Sequence, residues 1–401
     1  MNTNALRQHW SLNQDVIYLN HGSFGACPQA VLDYQHQLRT RLEHNPFNFF
    51  VREFEPLLDQ ARNQLADFMG AEASALSFVP NATTGVNCVL RSLCYSEGDE
   101  LLTTSHEYNA CRNALDFVAQ RAGATVTVAK IPFPLNSPDQ IQEAVLQTVS
   151  RRTRLVLLDH VTSQTGLVLP IAALVDELAQ RHIDVLVDGA HAPGMLPLNL
   201  TQLGAAYYTG NCHKWLCGPK GAAFLYVRPD KQAEIRPLTI SHGANSPRSD
   251  RPRFQLEFDW MGTADPTAYL SVPRAIQFMD SVWSEGWSGV MAHNHQLVVA
   301  ARYLLCEGLG VSLPCSEQQI GAMAAIPLPL ELAAVDSLQE QLWQRFRIEV
   351  PIIPWGASGQ PLLRISAQIY NTLAEYQQLI AALKAFTPEK VDRTVVNSAE
   401  L

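Results

Sequence analysis

The sequence predicts an α/β protein: a mainly parallel sheet covered by helices on both faces, followed by a smaller α+β region. Three observations predict it. Short β-branched or apolar runs alternate with amphipathic segments of helical length through the first half of the chain, and strands separated by such helices imply parallel crossovers. A loop excursion rich in Pro, Ser and Arg at 230–252 then breaks the alternation, before new apolar runs begin near Gly321. The chain also has 401 residues, 47% of them hydrophobic, which is enough to bury the cores of two domains.

In chain order, strand patterns occupy 75–79, 100–103, 125–131, 154–158, 183–187 and 222–227, with helical patterns at 29–44, 53–69, 109–121, 138–151 and 171–181 between them. Two long helical patterns follow at 266–282 and 289–307. Strands are expected again at 323–326, 348–353 and 362–365. This gives a large domain at 16–262 and a small C-terminal domain at 263–387, joined by the N-terminal segment 1–15. The residues 388–401 read as a polar tail.

Charged residues are 17% of the chain and the net charge is −9, which argues against nucleic acid or an anionic membrane as a partner. No apolar run approaches the ~20 residues needed to span a bilayer. Residues 1–14 hold no signal-peptide core. The eight cysteines are scattered rather than arranged as a disulfide framework, so a reducing cytoplasm is expected.

Ligands of such sheets gather at the carboxyl ends of the strands, and there the chemistry-bearing motifs fall. The run Ile183-Asp-Val-Leu-Val-Asp188-Gly-Ala-His191 ends a hydrophobic strand in a carboxylate. Alone, that acid is equally readable as a helix cap. Farther on come Thr209-Gly-Asn-Cys-His213-Lys214-Trp215 and a glycine-rich turn, Gly218-Pro-Lys-Gly221. A lysine between His and Trp at a strand end suits Schiff-base chemistry, which needs a desolvated amine. The same chemistry needs an acid near a pyridinium nitrogen, and Asp188 supplies one. A surface lysine beside an aromatic is the plain alternative. Zinc on Cys212, His213 and Cys217 is another, but it lacks a fourth ligand, so no metal is expected. The third motif, Phe78-Val-Pro-Asn-Ala-Thr83-Thr84-Gly85, runs from a strand into a helix, whose exposed amides and hydroxyls make a phosphate site.

These motifs, in this order, resemble the class V aminotransferase group of fold-type I pyridoxal-phosphate enzymes. The group includes cysteine desulfurases, cystine C–S lyases and isopenicillin N epimerases. The resemblance runs from Tyr18-Leu-Asn-His21-Gly-Ser-Phe-Gly25 to Arg364-Ile-Ser-Ala-Gln-Ile-Tyr370-Asn-Thr372. It implies a seven-stranded sheet in the large domain, pyridoxal 5'-phosphate as cofactor and an amino-acid-type substrate. By it, Thr83 and Thr84 match the phosphate loop, Asp188 the acid on the ring nitrogen, and His213-Lys214 the His-Lys pair. His191 stands where a residue contacts the ring hydroxyl, with Ser163 on the same side, and Asn211 replaces a phosphate-binding serine. Tyr108 stands where relatives carry a stacking histidine. It can stack as well, but a phenol shuttles protons less readily than imidazole near neutral pH. Thr263, beside Gly262, resembles a segment reaching the phosphate of a neighbouring subunit, which implies a homodimer with shared active sites. Arg364 resembles the arginine that clamps the substrate carboxylate, a bidentate task suited to guanidinium.

The resemblance also separates reactions. Desulfurases carry a nucleophilic cysteine shortly before that arginine, whereas residues 347–361 contain none and Cys315 lies about fifty residues upstream of Arg364. Epimerisation, β-elimination of cysteine or cystine, and transamination remain. The opening Tyr18–Gly25 phrase, Asn45-Pro-Phe-Asn-Phe-Phe-Val-Arg52-Glu and His106-Glu-Tyr-Asn-Ala-Cys-Arg are most similar to isopenicillin N epimerase-like proteins. An epimerase acting on an amino acid or its derivative is therefore expected, with Tyr108, His21 and Arg52 as candidates to organise the face opposite Lys214. A catalytically silent binding protein of the same fold is the alternative outside enzymes.

Overall fold

Leu155-Val-Leu-Leu158 and Val185-Leu-Val187 are apolar at every position because their strands are covered on both faces. Leu155 and Leu157 enter one core, with Val86, Val89 and Leu115, while Val156 and Leu158 enter the other, with Val175 and Leu178. The computed structural model describes residues 6–356 and 359–386; the expected tail at 388–401 and residues 1–5 lie outside them.

A two-residue strand, β1 (Ile17–Tyr18), precedes a sheet of β2 (Leu76–Val79), β3 (Glu100–Thr104), β4 (Thr125–Ala129), β5 (Thr153–Asp159), β6 (Asp184–Asp188), β7 (Tyr207–Asn211) and β8 (Ala223–Val227). The order is β2-β8-β7-β6-β5-β3-β4. The strands from β7 to β4 pair in parallel, and β8 is antiparallel to both its neighbours. The expected fold-type I architecture is what the chain adopts. Helices α1 (Gln29–His44), α2 (Phe54–Met69), α3 (Ala82–Ser92), α4 (Asn109–Ala122), α5 (Asp139–Thr148) and α6 (Ile171–Gln180) supply the covering layers.

The later part contains α7 (Val272–Ser281), α8 (Gly286–Leu309), α9 (Leu338–Phe346) and α10 (Leu373–Lys384) around a second sheet. Its strands are β9 (Met323–Pro327), β11 (Ile352–Trp355) and β12 (Gln360–Ser366), antiparallel in the order β11-β12-β9. A further strand, β10 (Ile348–Glu349), pairs in parallel with β1.

Three expectations are corrected here. The single strand at 348–353 is two, because Pro351 lacks an N–H and interrupts the pairing between β10 and β11. The helix at 266–282 breaks at Ser271, and α7 starts afresh with a proline in its first turn. The strand β7 was missing from the expected list, because its Gly-Asn end has poor strand propensity. What selects it is full burial between β6 and β8.

Candidate active site

The main sheet presents three polar residues at adjacent strand ends. Asp159 closes β5 and Asp188 closes β6, in register with each other, while Asn211 closes β7. Beyond Asn211 the chain turns tightly: Cys217 N–H donates to the Lys214 carbonyl at 3.0 Å, and Gly218 N–H to the Cys212 carbonyl at 2.8 Å. The turn carries Lys214 back over the strand ends, into a cleft that Asp159, Asp188, Tyr108 and His191 also line. Its Nζ lies 3.1 Å from His191 Nε2. Burial lowers the Lys214 amine to about 8; the Arg364 charge acts the same way, against Asp188, Asp159 and Cys111. A minor fraction of this amine, roughly a tenth, is therefore unprotonated near pH 7, far more than for an ordinary lysine.

Asp188 accepts from Ala190 N–H at 2.9 Å and from the Cys111 thiol at 3.0 Å. Two more buried acids stand close by. Burial, followed by the charges of their acidic neighbours, raises Glu107 and Asp159 well above the carboxylate range, which favours their protonated forms. Thr103 Oγ1 donates to Glu107 at 2.9 Å, while Glu107 Oε1 and Asp159 Oδ2 have no partner. Sequence reasoning missed Asp159 and Cys111. Asp159 carried the same signal as Asp188, an acid ending an apolar run; Cys111, on α4, carried none.

At the other end of the cleft, Asn81 caps α3 by accepting from Thr84 N–H at 2.8 Å, and Asn211 Oδ1 accepts from Ala82 N–H at 2.8 Å. The start of α3 lies against β7 because Gly85 has no side chain; a Cβ there would fall 2.2 Å from Thr209 Oγ1. Thr83 and His213 line the cleft. Thr84 instead donates its hydroxyl to Asn81 at 3.0 Å.

Arg364, in the middle of β12, sits one layer behind Ser23 and Ser163, which line the cleft. It donates to the Ser163 carbonyl at 2.5 Å, to Ser23 Oγ at 2.7 Å and to Asn20 Oδ1 at 3.3 Å, and its Nε has no partner. Burial lowers it to about 10, so it remains a cation at neutral pH.

Three further candidates do not reach this cleft within the chain. His21 is buried beneath the lysine peptide, 3.1 Å from the Lys214 carbonyl and 2.8 Å from the Tyr370 hydroxyl. Burial lowers it to about 3, so it is a neutral support. Arg52 is exposed on a π-helical turn, donating to Asn48 Oδ1 at 3.3 Å. Thr263 is exposed and borders a separate aromatic hollow with Phe50, Phe78 and Trp260. The zinc alternative also fails to assemble, because Cys217 faces His21 and His213 Nδ1 faces the Ala222 carbonyl. Among the described residues, the ligand types that converge are Glu107, Cys111 and Asp188.

A family model described as aminotransferase class-V matches residues 17–379. An isopenicillin N epimerase of Amycolatopsis lactamdurans is 37% identical over 94% of this chain and 97% of its own length. A probable chloroplastic L-cysteine desulfhydrase of Arabidopsis thaliana is 31% identical over 92% of this chain and 82% of its own. In fold, the chain is similar to a mutant of C-DES with glycine covalently linked to its PLP cofactor: TM-score 0.79, 24% identity, covering 95% of this chain and 99% of that one. The residues present suit such a cofactor. An amine, a buried carboxylate at a strand end and a helix N-terminus border one cleft, and an unpartnered acid oxygen of Asp159 lies among them.

Proposed function

The chain belongs to the aminotransferase class-V family of pyridoxal-phosphate enzymes, and from that premise we propose that it inverts Cα of an amino acid or amino-acid-derived substrate. The observation that carries this reading is that Lys214 and Tyr108, from different elements, line one cleft. Inversion needs one group to take the Cα proton and another to return it.

Pyridoxal phosphate, when bound, supplies the electron sink that acidifies the Cα–H of an attached amino acid. Lys214 would hold it covalently, Asp188 its ring nitrogen, and His191 and Ser163 its ring hydroxyl. Thr83, Asn211, His213 and the first amides of α3 would hold its phosphate. Arg364 binds the substrate carboxylate, which replaces the Ser23 hydroxyl and the Ser163 carbonyl as its acceptors. Lys214 Nζ, a partly free amine at neutral pH, takes the Cα proton. The Tyr108 hydroxyl and the protonated Asp159 carboxyl are the two groups available to return one from elsewhere in the cleft.

A relative at 31% identity named as an L-cysteine desulfhydrase supports a second reading, β-elimination from cysteine or cystine. Incubation of the holoenzyme with candidate amino acids in deuterated water separates the two. Solvent deuterium at Cα with racemisation supports inversion; release of pyruvate and ammonia replaces it with elimination. Pyridoxamine phosphate with a keto acid would indicate transamination, and purified protein without cofactor absorbance would indicate a silent binding protein. The exposed Thr263 supports a homodimer with shared sites, and the free cysteines support a reducing cytoplasm.

A further inference from the structure

Trp215 follows Lys214 and is fully buried. An indole N–H can only donate. Its Nε1 points at His191 Nδ1, 3.5 Å away and aligned for a hydrogen bond. The opposite nitrogen of the same ring, Nε2, is the one 3.1 Å from Lys214 Nζ. His191 is itself buried, and burial, then the charges of Lys214, Arg364 and His213, hold it well below the usual imidazole range. It is therefore neutral, with one N–H and one lone pair. Trp215 claims the lone pair of Nδ1, which leaves the proton on Nε2. From there it donates to Lys214 Nζ, and an amine accepts a hydrogen bond only when unprotonated.

We infer that Trp215 is a positioning residue: by fixing His191 as the Nε2–H tautomer, it favours the free-amine form of Lys214 before any ligand arrives. The inference rests on the reading of Lys214 as the cofactor-binding amine. The groups facing that amine are otherwise divided. Asp188 from β6, Asp159 from β5 and Cys111 from α4 favour its charged form, while Arg364 from β12 opposes it. A histidine free to choose its tautomer would side with the acids, offering an Nε2 lone pair to an ammonium. Trp215 removes that choice. Condensation with the cofactor aldehyde, in which C=N replaces C=O and water leaves, requires the free amine, so the tautomer sets the pH at which the chain captures its cofactor.

The test uses full-length, cofactor-free protein. Nitrogen-15 NMR of labelled histidine reads the tautomer, with the His191 signal identified by its loss in His191→Gln. The rate of pyridoxal-phosphate capture, followed by absorbance across pH 6–10, reads the amine. Expected are an Nε2–H tautomer in the native chain, an Nδ1–H tautomer in Trp215→Phe, and a capture midpoint raised by about 0.5–1 pH unit in that variant. In the His191→Gln background the same Trp215 substitution should leave the midpoint unmoved. An Nδ1–H tautomer in the native chain overturns the inference, and does so even if Trp215→Phe fails to fold. So does an unshifted midpoint in a folded Trp215→Phe. Covalent capture that persists in Lys214→Ala overturns the reading of Lys214 instead.

Discussion

The depressed amine of Lys214 has a consequence for stability that needs no substrate. In the unfolded chain the amine titrates at its ordinary value of 10.5, and in the folded chain at about 8. Between those values the unfolded state binds the extra proton, so this group makes stability rise with pH there. Below pH 8 the full penalty of burying an ammonium is present; above 10.5 it is gone. At ~1.4 kcal/mol per pH unit, the shift from 10.5 to about 8 corresponds to a penalty on the order of 3 kcal/mol. Lys214→Met keeps the side-chain volume and removes the titration. Cofactor-free Lys214→Met should thus be more stable than the native chain at pH 7, and the difference should shrink steadily toward pH 10.5. Chemical denaturation of both proteins at several pH values measures it. Other groups titrate in that window, but they cancel in the difference. A difference that stays flat from pH 7 to 10.5 would refute the argument that burial depresses this amine.

Arg364→Lys exchanges a planar fork for a point charge, and should raise KM for the amino-acid substrate roughly 10–100-fold while cofactor absorbance persists. Asp159→Asn removes a carboxyl whose folded-state pKa is raised, a shift that weakens the fold above the ordinary carboxylate range. The cofactor-free variant should be stabilised at pH 7, with the gain fading below about pH 4 in denaturation curves. Gly25 adopts φ +68°, and a Cβ there would lie 2.0 Å from the His213 carbonyl oxygen. Gly25→Ala should lower stability by about 2 kcal/mol or more in thermal unfolding, and displace the lysine turn enough to slow cofactor binding.

Asp188 and Lys214 were legible in the sequence because an acid ending a buried run and a His-Lys-Trp turn before a glycine-rich stretch occur together. Asp159 was just as legible and was passed over, since no glycine-rich turn follows it. Position across the chain was not legible. His21 looked like a candidate for the open face, yet tertiary packing puts it under the lysine peptide, in contact with Tyr370. Arg364 announced itself as a cation in an apolar strand, but its partners Asn20 and Ser23 lie more than 340 residues away and no periodicity points to them. The strand β7 was hidden because burial, not propensity, decides it.

The pairing of β1 with β10 joins Ile17 to Ile348. On a nascent chain, the strands and helices of the main sheet are all available long before residue 348 is made. The wall formed by Asn20, His21 and Ser23 can close only after Arg364 and Tyr370 have emerged. Contacts of such long sequence separation form late, because loop closure must precede their reward. The order of synthesis therefore leaves Lys214 uncovered on its His21 side until residues 364–370 have emerged.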